Sequence, residues 1–533
     1  MIKRIGGRTL QNCTRRCSTH TTSYISPVRK FSSTSAPTAS YTSSSSPIGS
    51  LTVELDRIAP KFEVKASNIQ ILNSPAAFYE TLKDKIRSAK RRVYLSTLYI
   101  GKTEHELLSV LNEALRQNPD LKVSILTDAL RGTRESPNPS SASLLASLVE
   151  EHGPERVEIR MFHTPNLVGM RKKHIPKRIN EGWGLQHMKL YGVDDEIILS
   201  GANLSNDYFT NRLDRYHVFQ STELAEYYSQ IHHAICKFSF QVLPDTKSKQ
   251  GYILNWPATN SGPSPLDDPK DFISAASITL SKLIQPSKSH TVSASIPENQ
   301  TYVYPVAQFT PLLKPDQSTE FPAVTSVLSA LASNPALKNS RWLFTAGYFN
   351  MHPVLSSLLI SSTTPSPDSP SNQGTVLTAS PWANGFYGSP GVSGMLPAAY
   401  THLSARFLDR VAEAQRTNSI QLKEWRRGTV NEPDGWTYHA KGLWVTLPDE
   451  KYPSLTFVGS SNYTKRSYGL DLEVGAVVVT TDNSLKERLG QETEWLQKDS
   501  KPISREDLRR VERRVSWNVR LAMWIVERVG GAL

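Results

Sequence analysis

The sequence predicts an α/β protein made of two similar halves, each a sheet with helices on both faces. Three observations carry that reading. Apolar residues along the body of the chain switch repeatedly between helical and strand spacing. Blocks around residue 190 return around residue 440 in the same order, as in an internal duplication. The 533 residues suffice for two or three domains with sizeable cores.

In the first half, Phe78, Leu82 and Ile86 mark a helix over 74–90. A strand over 92–100, a helix over 104–117, a strand over 122–127, a helix over 141–151 and a strand over 156–161 follow. The block around His187 reads as two strands joined by a turn at Val193–Asp195. A Pro/Ser-rich stretch over about 243–270 interrupts the pattern. It then resumes with a helix over 323–333, strands over 341–347 and 375–379, a helix over 397–415 and a strand over 419–424. Three more strands lie at His439, Leu455–Gly459 and Val474–Thr480, and 363–374 reads as a surface insert. The expected organisation is a basic leader over 1–50, a first half over 51–243, a linker over 244–298, a second half over 299–500 and a C-terminal amphipathic helix over 501–533.

The chemistry gathers in the repeat. HMKLYGVD (His187, Lys189, Asp194) precedes SGANLS, and HAKGLWVT (His439, Lys441) precedes GSSNYT. Asp214 follows Asn203 by 11 residues, and Glu473 follows Asn462 by the same 11. Two histidines backed by two lysines suit phosphoryl transfer without a metal: one histidine attacks phosphorus and the other moves a proton. The lysines would hold charge on the phosphate oxygens. Two residues apart on a strand, each lysine shares a face with its histidine. Asp214 and Glu473, at matched positions, are candidates to orient the imidazoles. Asn203 and Asn462 can donate amide hydrogens to phosphate; Ser205 and Thr464 are weaker candidates, since such hydroxyls often cap backbone. For a second, anionic substrate the basic stretch Met170 to Gly184 offers Arg178, and the second half offers Arg466 and Ser467.

These motifs resemble the phospholipase D superfamily, whose mark is a duplicated His-x-Lys-x4-Asp. The block Gly184 to Tyr216 is similar to its mitochondrial phosphatidylglycerophosphate synthase branch. The resemblance spans about residues 60–500. It implies two phospholipase D-like sandwich halves packed face to face, with both histidines in one cleft at their interface. It also implies transfer of a phosphatidyl group from CDP-diacylglycerol to glycerol 3-phosphate, giving phosphatidylglycerophosphate and CMP, through a phosphatidyl-histidine. This is the committed step toward phosphatidylglycerol and cardiolipin. On the complete first motif and this likeness, His187 is the expected nucleophile and His439 the acid–base. The second copy departs from the motif at Thr446, where the first has Asp194, which leaves the role of that aspartate open. Alternatives are another phospholipase D-type phosphatidyltransferase or a phospholipase, and further off a nuclease or an inactive membrane scaffold.

Composition sets the compartment and partners. The net charge of +12 comes almost wholly from the ends. Residues 1–50 hold seven Lys/Arg and no acid, and 501–533 hold eight basic residues and four acidic ones. The body is near neutral, which disfavours a nucleic-acid groove. An Arg/Ser/Thr-rich start without acids has the composition of a mitochondrial transit peptide, with cleavage near Arg29–Phe31. Cys13 and Cys17 would leave with it, and Cys236 alone forms neither disulfide nor metal cluster. The motif needs no cofactor, although a divalent ion could ride on substrate phosphates. With no apolar run of 18 residues, the expected location is peripheral, on an anionic membrane, the matrix side of the mitochondrial inner membrane. Ser504 and Asp507 form a capping-box pattern. Leu508 to Val529 then follow at helical spacing beside Arg509, Arg510, Arg513, Arg514, Arg520 and Arg528, with Trp517 and Trp524 as interfacial groups. The same stripe also fits a helix docked on the protein.

Overall fold

The computed structural model describes residues 46–134, 139–176, 179–286, 296–365 and 372–528. The leader before Ser46, its cleavage site, Arg178, residues 366–371 of the 363–374 insert, and the last residues from Val529 lie outside the described residues.

Two nine-stranded mixed sheets dominate. In spatial order the first runs Tyr252–Asn255, Phe240–Pro244, Val157–Phe162, Lys122–Asp128, Arg92–Ser96, Leu190–Val193, Glu196–Ser200, Tyr216–Gln220 and Ile69–Leu72. The second runs Phe62–Glu63, Thr301–Gln308, Glu473–Thr480, Leu455–Gly459, Lys441–Thr446, Arg341–Ala346, Gly374–Ala379, Ile420–Trp425 and Ser500–Pro502. At the centre of each, the strand after the His-x-Lys histidine lies antiparallel to an earlier strand of its half, Arg92–Ser96 or Arg341–Ala346: Val93 faces Val193, and Trp342 faces Val445. The α/β expectation and the repeat are both visible in that shared order.

The inner faces of the sheets share one core. Leu190, Ile197, Leu199 and Phe219 meet Val458, Val474, Ala476 and Val478 there, with helices Thr222–Cys236, Pro269–Ile284 and Asn483–Gln497. Other helices cover the outer faces. The alternation that sends Met188 and Leu190 into the shared core sends Tyr191 to the outer one. His187 and Lys189 leave on the side opposite Met188.

Several segments depart from the sequence expectation. Residues 47–63 belong structurally to the second half. The helix Pro47–Ile58 starts on a Ser46 cap and Pro47. Its Ile48, Leu51 and Leu55 pack in the core of the second half, and Phe62–Glu63 pairs with Thr301–Gln308. Ser/Thr-rich composition masked this helix. The stretch read as a linker over 244–298 contains Pro269–Ile284, whose Phe272, Ala276, Leu280 and Ile284 are fully buried. The tail is not one helix from 501. Two short 3-10 turns, Asp507–Arg509 and Val511–Arg513, precede a helix at Trp517–Arg528. Arg509 and Arg513, and Arg510 and Arg514, would repel at i,i+4 in a continuous helix. Instead Arg505 pairs with Asp409 at 2.7 Å and Arg513 with Glu424 at 2.7 Å, pinning the chain to the body. No helix among the described residues is long and apolar enough to cross a membrane.

Candidate active site

Each histidine is positioned by the other half of the chain. The His187 N–H donates to the Leu472 carbonyl at 2.9 Å, and the His439 N–H donates to the Leu213 carbonyl at 2.8 Å. Leu472 and Leu213 are the residues before the two carboxylates, so each backbone contact delivers an acid from across the interface. His187 Nδ1 lies 2.9 Å from Glu473 Oε1, and His439 Nδ1 lies 2.6 Å from Asp214 Oδ2. The carboxylates proposed from spacing as orienting groups are therefore exchanged between halves. With Nδ1–H given to a carboxylate, Nε2 of each ring keeps its lone pair.

The lysines stand behind the histidines. Lys189 Nζ donates to the His187 carbonyl at 2.7 Å. Lys441 Nζ lies 2.8 Å from His439 Nδ1 and 3.4 Å from Asp214 Oδ2. Two cations and two anions thus form a buried, balanced cluster. Gly201 leaves room for it, since a Cβ there would strike Lys441 Nζ and the Asp214 carboxylate. Burial pulls Lys189 down to about 7 and also lowers Lys441. Burial pushes Glu473 up to about 7, against the pull of Lys189 and of the Ser460 hydroxyl, which donates to it. Burial also opposes ionisation of Asp214, but Lys441 and the His439 hydrogen bond outweigh it and hold Asp214 below its usual range. Both imidazoles are held well below theirs, by burial and by Lys189 or Lys441, so both are neutral near pH 7.

A cavity of about 450 Å³ opens on both histidines. Of the residues singled out in the sequence, Asn203, Asn462, Thr464, Arg466 and Ser467 line it, while neither lysine is among its lining residues. Asn203 Nδ2 donates to the Tyr208 hydroxyl at 3.1 Å, which lies 3.3 Å from His439 Nε2. Asn462 Oδ1 is buried without a partner in the described protein. Thr464 Oγ1 accepts the Ser467 N–H at 3.0 Å and Ser467 Oγ accepts the Asn462 N–H at 3.2 Å, so these hydroxyls shape the loop. Ser205 is not among the lining residues; it donates to Asp207 at 2.5 Å.

Asp194 is a correction to the motif reading. It sits at the far end of its strand, roughly 20 Å from His187 at strand rise, in the left-handed region at φ 49°. Its carboxylate accepts the N–H groups of Lys90, Arg91 and Arg92 at 2.7, 2.8 and 3.1 Å. It ties a turn to the neighbouring strand and does not face the cavity. Thr446 stands at the equivalent strand end, where Arg341 instead donates to the Glu450 carbonyl at 2.7 Å. The missing second aspartate therefore removes nothing from the site.

Sequence reasoning missed the cavity's other polar groups. Arg131 and Arg212 line it beside Tyr99, Tyr208 and Tyr348. Arg212 pairs with Asp207 at 2.8 Å and stacks over Tyr208. Asp471 holds Arg466 at 3.0 Å and accepts the Leu185 N–H at 2.9 Å. Asp128, pushed by burial up to about 8, accepts the N–H groups of Arg131 and Gln186. Tyr208 and Arg212 lie inside the specific block Gly184 to Tyr216, which was the available signal.

Comparison with known proteins agrees with this geometry. The family model described as "Cardiolipin synthase, PLD-like domain" matches residues 82–235. The CDP-diacylglycerol–glycerol-3-phosphate 3-phosphatidyltransferase of Saccharomyces cerevisiae is 44% identical over 87% of this chain and 88% of its own length. The human protein of that name, designated mitochondrial, is 34% identical over 88% of this chain and 84% of its own. Among solved structures, the phosphatidylserine synthase of Haemophilus influenzae superposes with a TM-score of 0.67 at 19% identity, covering 90% of this chain and 97% of that one. That likeness speaks to the fold.

Proposed function

This chain belongs to the CDP-diacylglycerol–glycerol-3-phosphate 3-phosphatidyltransferase family, and on that premise we propose how its cavity performs the transfer. The enzyme moves the phosphatidyl group from CDP-diacylglycerol to glycerol 3-phosphate, giving phosphatidylglycerophosphate and CMP. The observation that carries the mechanism is the pair of histidines on one cavity, each held by the other half's carboxylate.

His187 Nε2 attacks the phosphatidyl phosphorus; a P–N bond forms as the P–O bond to CMP breaks. CMP leaves as a phosphate with a second pKa of about 6 and needs little protonation. Glu473 accepts the Nδ1 hydrogen and stabilises the charge that develops on the ring. The primary hydroxyl of glycerol 3-phosphate then attacks phosphorus. Its proton passes to His439 Nε2, the P–N bond breaks, and His439 later yields the proton to water. Two features support this division of roles. His187 Nε2 has no hydrogen-bond partner among the described residues, whereas His439 Nε2 meets Tyr208. The His187 side chain is also 10% exposed against 5% for His439. Arg131, Arg212 and Arg466 supply positive charge at the cavity wall for the phosphates of both substrates.

The scheme uses no cofactor; a divalent ion could accompany substrate phosphates, which a chelator titration tests. The location we infer is the mitochondrion, as the animal relatives are designated. More finely, it is peripheral, on an anionic lipid surface at the matrix face of the inner membrane, with no nucleic-acid partner. The acid-free leader supports the first of these.

The test is incorporation of labelled glycerol 3-phosphate into lipid by the full chain, with CDP-diacylglycerol in detergent micelles. His187→Ala and His439→Ala should each abolish it; a near-normal rate in either sinks the scheme. Release of CMP with phosphatidic acid instead would make water the acceptor.

A further inference from the structure

Catalysis leaves unexplained a second cavity, of about 260 Å³, between the helix Leu396–Glu413 and the C-terminal tail. Arg505, Arg509, Arg514 and Arg520 line it with Thr401 and His402. Arg505 is paired with Asp409, but Arg514 and Arg520 have no ion pair among the described residues. Such a concentration of guanidinium groups is matched by phosphate, which each fork can take in two hydrogen bonds.

The tail beside this cavity faces two ways. Val519 and Met523 are buried against Ala399 and its neighbours. At about 100° per residue, Trp517, Leu521 and Trp524 fall within about 60° of one another on the opposite side. Trp517 is 70% exposed and Trp524 53%. Arg520 falls at the edge of that stripe. An apolar indole stripe bordered by arginine suits the boundary between lipid headgroups and acyl chains.

The helix Leu396–Glu413 joins the two sites. Its Leu396 and Tyr400 line the catalytic cavity, Ala399 carries the tail, and Thr401, His402 and Ala405 line the arginine cavity. The catalytic cavity, about 450 Å³ and walled by charged and hydroxyl groups, is the size for one drug-sized ligand. It takes the headgroup of a lipid but not two acyl chains as well, so the chains must stay in a bilayer at its mouth.

We propose that the tail is a bilayer-docking element: Trp517, Leu521 and Trp524 enter the leaflet while the arginine cavity holds the phosphate of an anionic phospholipid that is not the substrate. This rests on the transferase reading only for the need to reach a lipid substrate.

The test is flotation of the full chain with phosphatidylcholine vesicles, with and without phosphatidylglycerol. Arg514→Gln with Arg520→Gln should weaken binding to phosphatidylglycerol vesicles about thirtyfold, and lysine at both positions should restore it. Phosphatidylcholine carrying brominated acyl chains in those vesicles should quench tryptophan fluorescence in the unmodified chain but not in Trp517→Phe with Trp524→Phe. Both double variants should keep their rate on micellar CDP-diacylglycerol. Unchanged binding by the glutamine variant, or quenching that survives the Phe pair, overturns the proposal. Displacement from phosphatidylglycerol vesicles by inorganic phosphate, with quenching absent throughout, would mark a free-phosphate site and overturn it too. No substrate is present in flotation, so failure of the transferase assay leaves this outcome independent.

Discussion

Glu473 accepts the Nδ1 hydrogen of His187 at 2.9 Å from the opposite half of the molecule, and Asp214 does the same for His439 at 2.6 Å. The exchange makes each half dependent on the other for a correctly held imidazole. Glu473→Gln and Asp214→Asn should each lower kcat by about 10³–10⁴-fold with little change in KM, as expected when a ring loses its orienting anion. The two should differ in step. Rapid quenching should find phosphatidyl-enzyme accumulating in Asp214→Asn and nearly absent in Glu473→Gln; the reverse pattern would exchange the roles of the histidines.

Asp194 has a purely architectural task. Asp194→Ala should cost about 2 kcal/mol of stability through three lost acceptor contacts, with kcat within a few-fold of the parent below its melting temperature. Thr446→Asp should raise neither rate nor stability. A large kcat loss in Asp194→Ala, measured on protein shown to be folded by circular dichroism, would return that residue to the chemistry.

The acid limb of the pH profile should belong to Glu473. Its carboxyl stands at about 7, so it loses its ability to accept from His187 as pH falls through that value, and kcat/KM should fall with it. Ser460 donates to the ionised form, which lowers the pKa. Ser460→Ala should move the limb to higher pH, by about one unit, and the two proteins should converge on the alkaline side of the limb.

A buried clamp fastens the halves just behind the site. Arg215 Nε lies 2.8 Å from Glu492 Oε1 and its guanidinium stacks over Trp444, while His217 Nε2 meets the same carboxylate at 2.9 Å. Glu492→Ala should destabilise by about 3–5 kcal/mol, because it strands Arg215 in the interior. Burial pushes Glu492 up, yet Arg215 and His217 hold it far below the ordinary range. A depressed carboxyl contributes stability above its unfolded pKa of about 4.3 and loses it as pH falls through the folded value. The deficit of the alanine variant, followed by denaturant melts, should therefore be full at neutral pH and shrink in strong acid.

The sequence made the chemistry legible and left the pairing hidden. His187, Lys189, His439 and Lys441 stood out because a period-two spacing on a strand fixes which side chains share a face. The matched acids stood out because a duplicated interval is hard to produce by chance. Nothing in either interval says that Asp214 serves the distant histidine, since that depends on how two sheets meet. Asp194 was misread because motif spacing does not tell where a strand leaves the site. The tail was read as one helix because apolar periodicity ignores the like charges at i,i+4 and the anchoring of Arg505 and Arg513. The helix from Pro47 was hidden by a serine-rich surrounding, although Ser46 and Pro47 were its start signal.

The reciprocal hydrogen bonds from His187 to Leu472 and from His439 to Leu213 have the form of a two-fold axis. A lone half would own a histidine and a carboxylate that never meet, so an unfused form would have to work as a homodimer. In such a dimer the two rings would be identical by symmetry and could not be specialised by mutation. Joining the halves on one polypeptide lifts that restriction. Tyr208 can then shade one imidazole alone, an aspartate can serve one ring and a glutamate the other, and attack and proton transfer can be refined as separate tasks.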